Sequence, residues 1–195
     1  IHSFSNNLTL LNSFRAISFQ VVSIITTTGY STADYTTWGY FLTFIFFLFL
    51  FSGASAGSTS GGIKIVRIII LIKNSLLEFK RRLHPKAVIP VILNGSAISN
   101  HIIYNLLAFI FLYLFIFTLG SIILSGLGLD FLSAISAVAS AVGNVGPGIA
   151  SVGPSYSFDH VPDLGKWVLS LLMLMGRLEL FTVCLIFTPY FWKRI

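Results

Sequence analysis

The 195-residue chain is 55% hydrophobic and only 9% charged, with a net charge of +6 and a mean hydropathy of +0.90. A water-facing globule usually carries about 25% charged residues, so this composition excludes an ordinary soluble domain and points to a bilayer as solvent. The 19 Phe against 2 Met suit a lipid-facing surface in the same way.

The basic residues are bunched rather than spread over a helical face. Lys73, Lys80, Arg81, Arg82 and Lys86 gather in one connecting segment, and Lys193 and Arg194 close the chain. Bunching beside apolar spans is the positive-inside pattern, so membrane lipid is expected as a partner and nucleic acid is not. The single cysteine, Cys184, lies in an apolar run and offers neither a disulfide framework nor a metal site. The sequence opens Ile1-His2-Ser3-Phe4, with no initiator Met and no signal peptide, and reads as a fragment whose earlier portion is missing.

In chain order, residues 14–25 form a short apolar stretch ending in Thr26-Thr27-Thr28-Gly29-Tyr30-Ser31. Residues 38–73 are long enough to span, a bilayer needing about 20 apolar residues. That span is interrupted by Ser52-Gly53-Ala54-Ser55-Ala56-Gly57-Ser58-Thr59-Ser60-Gly61-Gly62. A second span is expected over residues 98–124. Residues 131–142 form another short apolar stretch, ending in Gly143-Asn144-Val145-Gly146-Pro147-Gly148. A third span is expected over residues 166–188, stopped by Pro189 and flanked by Trp167 and Trp192 at interface depth.

The two short stretches, roughly a dozen residues each, have the length of re-entrant half-helices. A helix that stops at membrane depth must bury its free backbone in protein or in a water-filled cavity. With residues 73–86 in the cytoplasm, Asp34, Asp130, Asp159 and Asp163 all fall outside and both basic clusters inside. Short helix, glycine loop and long helix occur twice, Gly146 lying 117 residues after Gly29. In that register Val21 matches Val138 and Ser23 matches Ser140. The units divide as residues 1–97 and 98–195, and four of this period would need roughly 470 residues around a shared axis.

Selectivity for potassium requires rings of backbone carbonyl oxygens that replace the ion's water, and glycine is expected where such a backbone must turn sharply. Thr26, Thr27, Thr28, Gly29 and Tyr30 fit: Thr carbonyls and hydroxyls as ligands, Gly29 for the turn, Tyr30 as an aromatic wedge. The Gly/Ser break is tolerable only where it lines a cavity. Lys64 and Arg67 follow it and are expected to snorkel toward the interface. Arg177 sits mid-span, where an ionisable residue is presumed functional. Glu179 is expected to serve as a structural partner for another helix.

These residues carry a resemblance. Phe19-Gln20-Val21-Val22-Ser23-Ile24-Ile25-Thr26-Thr27-Thr28-Gly29-Tyr30, Gly57-Ser58-Thr59-Ser60-Gly61-Gly62-Ile63-Lys64, Gly143-Asn144-Val145-Gly146-Pro147-Gly148 and Gly176-Arg177-Leu178-Glu179 resemble the Trk/Ktr/HKT superfamily of potassium transporters, over essentially the whole chain. The resemblance implies an all-α integral membrane protein of helix–pore loop–helix repeats, here the end of the third repeat and the whole fourth. It implies that Gly29, Gly143 and Gly146 belong to filter arms, with Thr27, Thr28, Asn144 and Val145 binding potassium and Pro147 closing the fourth arm. It further implies a gate at the loop Gly53 to Gly62, with Arg177 and Lys64 as pathway charges. Potassium is then the substrate and no cofactor is expected. The implied setting is the bacterial inner membrane, the implied partners a second copy and a cytosolic nucleotide-binding regulatory subunit.

Rival readings weaken on the residues. Residues 57–64 look like a phosphate-binding loop, but Ile63 separates Gly62 from Lys64 and no strand precedes. Gly53-Ala54-Ser55-Ala56-Gly57 matches the nucleophile pattern of a serine protease, yet His101 falls near the cytoplasmic end, far in depth from Ser55. A non-conducting structural or regulatory subunit is the remaining alternative, separable by ion flux.

Overall fold

A computed structural model describes residues 10–55, 57–58, 60–87 and 89–192, with the backbone alone at Tyr190. His2, Ala56, Thr59, Lys193 and Arg194, named above, lie outside the described residues. The helices are α1 (Leu10–Ile25), α2 (Tyr40–Phe49), α3 (Ile65–Leu83), α4 (Asn100–Gly126), α5 (Phe131–Gly143), α6 (Asp163–Arg177), α7 (Leu180–Ile186) and α8 (Pro189–Trp192). Two small strand pairs join them. β1 (Ser52–Gly53) runs parallel to β2 (Ile63–Lys64), and β3 (Val91–Leu93) pairs antiparallel with β4 (Ser96–Ile98).

The short helix α5 is the centre of the fold. Asp130 caps it, its carboxylate accepting from the Ser133 N–H at 3.1 Å, and its sequence is mostly Ala, Ser and Val. Side chains this small let neighbouring helices approach closely, which is how apolar helices associate where lipid removes the hydrophobic drive. Ala137, Val138, Ala139 and Val142 are completely enclosed, between α4 on one side and α6 on the other. Gly120 of α4 permits that sandwich. A Cβ there would stand 3.0 Å from Leu172 Cδ1 of α6 and 3.2 Å from Val138 Cγ1 of α5.

A second core joins the two halves. Ile24, Tyr35, Trp38, Phe46 and Leu50 pack against Ala139, Val145 and Ile149. Tyr35 stacks on Phe46 with ring centres 4.8 Å apart, and Trp38 meets the same ring edge-on at 5.7 Å.

Both short apolar stretches are helices close to their expected bounds, and the second span is the 27-residue α4. α4 is long and apolar enough to cross a bilayer by itself. The first span is interrupted at its Gly/Ser stretch as expected, but its end and the third span are corrected. Residues 38–73 form α2, a loop and α3, and α3 continues to Leu83, so Lys73, Lys80, Arg81 and Arg82 are helical rather than in a connection. The third span is not one rod: α6 and α7 meet at 114°, and only the bent pair has the length and hydropathy to cross. The bend falls at Glu179, whose φ is +65°. That conformation breaks the helical ladder, and the Glu179 side chain pairs with Lys64 of β2 and Arg67 of α3, described below.

Ser133, through its hydroxyl and its N–H, holds the Asp130 carboxyl below its usual value against a smaller opposing effect of burial. Asp130→Ala is therefore expected to destabilise the full-length protein by about 1 kcal/mol, measured by thermal unfolding in detergent. The depressed value sets the sign with pH. The cap's contribution is present above the unfolded carboxylate value of about 3.9 and is lost as pH falls through the lower folded value; Asp130→Ala removes that acid sensitivity.

Candidate functional site

Both short helices end in the same turn. In α1, the Thr27 N–H donates to the Ile24 carbonyl at 3.0 Å and the Thr28 N–H to the Ser23 carbonyl at 2.9 Å. In α5, the Asn144 N–H donates to Ala141 at 3.1 Å and the Val145 N–H to Ser140 at 3.0 Å. Each residue of the second set lies 117 positions after its counterpart in the first. The backbone follows suit. Thr27 and Asn144 take left-handed φ values of +56° and +55°, and Gly29 and Gly146 take +77° and +113°. A threonine in that region is uncommon and strained, so the turn is imposed by its surroundings.

Buried serines hold the turns. Ser23 Oγ donates to the Tyr30 carbonyl at 2.6 Å, and its counterpart Ser140 Oγ accepts from the Gly146 N–H at 3.0 Å. In the first arm the Gln20 amide adds a bond to the Ala33 carbonyl at 2.6 Å, and the Thr26 and Thr28 hydroxyls bond to each other at 2.8 Å. In the second, Ser136 Oγ brackets Ile149, accepting from its N–H and donating to its carbonyl, both at 3.0 Å. Ser133 reaches Ser151 at 2.6 Å, and Ser151 reaches His160 Nε2 at 3.1 Å. Among the described residues, the carbonyls of Thr27, Thr28, Asn144 and Val145 accept no hydrogen bond.

The two turns meet. A Cβ on Gly29 would overlap the Val145 carbonyl oxygen, and one on Gly146 would lie 3.9 Å from Gly29 Cα. Gly29 is thus required twice, for its φ and for the close approach. Pro147 Cδ closes the same contact, 3.4 Å from where that Gly29 Cβ would sit. Tyr30, expected as the wedge, is instead 74% exposed. The wedge is Tyr35, wholly buried, whose hydroxyl donates to the Gly148 carbonyl at 2.6 Å and so ties the loop after the first turn to the second.

The Gly/Ser segment is a folded-back loop rather than a kink. Its two ends pair side by side, Ser52 with Ile63 and Gly53 with Lys64. Inside it the Ala54 N–H donates to Ser60 Oγ, and the Ser60 N–H to Ser58 Oγ, both at 3.1 Å. The Ser58 N–H donates to the Ser55 carbonyl at 3.0 Å. Gly61 lies directly under the second turn: a Cβ there would be 2.6 Å from the Gly143 carbonyl and 2.8 Å from Asn144 Nδ2. Gly62, at φ +72°, turns the chain back toward β2. Gly57 has open space around its Cα. On the other side of the turn, Asn144 Nδ2 donates to the Met173 carbonyl at 3.1 Å, and Gly176 packs against the Val142 carbonyl. The second arm is therefore clamped between the loop and the end of α6.

Charges gather below. Glu179 Oε1 accepts from Arg67 Nη2 at 2.9 Å and lies 3.5 Å from Lys64 Nζ. Arg67 also stands 4.0 Å over the Phe109 ring. Arg177, in the last turn of α6, lines a small cavity together with Lys64, Arg67 and Glu179. Glu179 fits the structural-partner expectation, while Lys64 and Arg67 turn inward to it instead of snorkelling away. Ser55 has no histidine bonded to it among the described residues, and His101 bonds to Asn105 in the first turn of α4 at 3.3 Å.

Tyr35, the Asn144 side chain and the serine ladder of α5 escaped the sequence reading. The serine spacing, three and four residues apart on an otherwise apolar short helix, was the available signal for the ladder.

Residues 6–194 match the model of the TrkH family, described as cation transport protein. The chain is 40% identical over 182 residues to the Trk system potassium uptake protein TrkH of Vibrio parahaemolyticus, covering 93% of this chain and 37% of that protein. It is 39% identical over 184 residues to TrkH of Halomonas elongata, covering 94% and 38%. It is 32% identical over 184 residues to TrkG of Escherichia coli K12, again covering 94% and 38%. The crystal structure of the potassium transporter TrkH from Vibrio parahaemolyticus superposes with a TM-score of 0.88 at 38% identity, over 98% of this chain and 40% of that one. The chain thus spans about two-fifths of the length of the relatives it matches, which are named as transporters rather than enzymes. Its fold is that of an all-α membrane transporter, and the chain belongs to the TrkH family of cation transport proteins.

Proposed function

We propose that this chain carries two of four filter arms of a bacterial inner-membrane potassium-uptake protein. One observation supports the reading above the others. Two helix ends 117 residues apart share one hydrogen-bond register, and each leaves neighbouring carbonyls without donors. Thr28 is exposed, Thr27 and Asn144 are half-buried and Val145 is buried, and carbonyls free of donors at such an edge can replace a potassium ion's water. Thr27, Thr28, Asn144 and Val145 are then the ion-facing residues, and Gly29 and Gly146 allow the arms to close around it.

Ions enter from the side of Asp34, Asp130, Asp159 and Asp163 and leave toward the basic end of α3. Residues 1–97 and 98–195 act as successive pore units. The loop from Gly53 to Gly62 is the gate, since Gly61 rests against the base of the second arm. Arg177 and Lys64 set the charge below it. The protein works as a homodimer, and a cytosolic nucleotide-binding subunit docks on Lys73, Lys80, Arg82 and Lys86. Within the chain, Arg81 bonds the Ile89 carbonyl at 2.8 Å and Asn74 at 2.9 Å, Lys73 bonds the Ile92 carbonyl at 3.1 Å, and Arg82 pairs with Glu78 at 3.8 Å.

Gly29→Ser in the full-length protein places a side chain at φ +77° against the Val145 carbonyl. A side-chained residue pays about 1–2 kcal/mol in that conformation, so preference for potassium over sodium is expected to fall about tenfold in cation competition of rubidium uptake. Unchanged preference overturns the filter assignment. Gly61→Ala forces the loop off the Gly143 carbonyl, and flux without the regulatory subunit is expected to rise several-fold in proteoliposomes; flux that is unchanged or lower removes the gate from this loop.

A further inference from the structure

The charge cluster surrounds a cavity of about 60 Å³ beneath the second arm. Donor side chains of Ser58, Ser60, Lys64, Arg67, Tyr113 and Arg177 share its wall with apolar residues. Lys64, Arg67 and Arg177 bring three cations against one carboxylate, Glu179, whose Oε1 is already taken by Arg67 at 2.9 Å and Lys64 at 3.5 Å. Ser58 Oγ and Ser60 Oγ each accept a backbone N–H at 3.1 Å. Each hydroxyl also carries a proton that it can donate to a ligand. The remaining wall holds Tyr113, 1% exposed, whose hydroxyl is without a hydrogen-bond partner among the described residues. A buried hydroxyl left unpaired is costly, and an anion in the cavity would accept from it.

We propose that this cavity binds a small monoanion of chloride size. Two observations converge: three cations against one carboxylate, and a buried phenol with no partner among the described residues. The volume suits one monatomic ion with a water, given water's share of about 30 Å³. The second arm and the loop share this cavity's roof and wall, through Val142 and Gly62. A bound anion therefore joins the loop to α6 and offsets cations that stand below the filter turns.

The site is tested on the full-length protein by binding and stability, not by flux, so its failure is separable from failure of the potassium reading. Crystals grown with bromide in place of chloride are expected to show an anomalous peak within hydrogen-bond reach of the Tyr113 hydroxyl. Tyr113→Phe, which removes only that oxygen, is expected to abolish the peak or reduce it several-fold. Replacing gluconate by chloride at constant ionic strength is expected to raise Tm in the wild type and to raise it less in Tyr113→Phe. A cavity holding only water or a side chain from elsewhere in the chain overturns the proposal. So does a bromide peak and Tm response that are equal in both proteins.

Discussion

The structure depends on two short helices being stopped at the same point of their last turn. Ser23 and Ser140 supply the acceptor carbonyls that draw the chain back, and Thr27 and Asn144 take the left-handed conformation that this demands. Once the chain is turned there, the next carbonyls cannot rejoin a helical ladder. Gly29 then lets the first turn approach Val145 of the second to a distance no side chain would allow. The strain of a left-handed threonine is sustained because buried serine and glutamine bonds over-determine the loop around it.

That constraint explains the rest of the packing. A half-helix ending inside a membrane must have protein or an aqueous cavity on every side, and α5 is enclosed by α4, α6 and the loop below. The small side chains of α5 and the absence of one at Gly120 allow three helices to meet around it. The breaks in the long helices serve the same end. Gly61 lies beneath the second turn, and Glu179 at the other break pairs with Lys64 at the loop's end, 3.5 Å away. A continuous helix at either place would have no backbone to offer the base of the second arm.

Local patterns made much of this legible. A dozen apolar residues before a glycine loop marked each half-helix, and the interval of 117 residues that aligned Gly29 with Gly146 also aligns the hydrogen bonds themselves. What stayed hidden was settled at long range. The 114° bend falls at Gly176-Arg177-Leu178-Glu179, where two charges interrupt the apolar run, but those residues read as a pathway charge and a structural partner rather than as a helix break. Tyr30 was the natural wedge by adjacency, whereas Tyr35 does the work through a bond spanning 113 residues. The turn at Asn94-Gly95, with φ of +50° and +81°, carried a hairpin signature that a reading focused on basic charge passed over.

The central claim is that bare carbonyls at the ends of α1 and α5 take the place of a cation's water. Anomalous diffraction from the full-length protein with thallium(I) as a potassium substitute tests it most directly. The account predicts a peak in contact with the carbonyl oxygens of Thr27, Thr28, Asn144 and Val145. Absence of thallium there, with those carbonyls hydrogen-bonded to the remainder of the polypeptide, would contradict it.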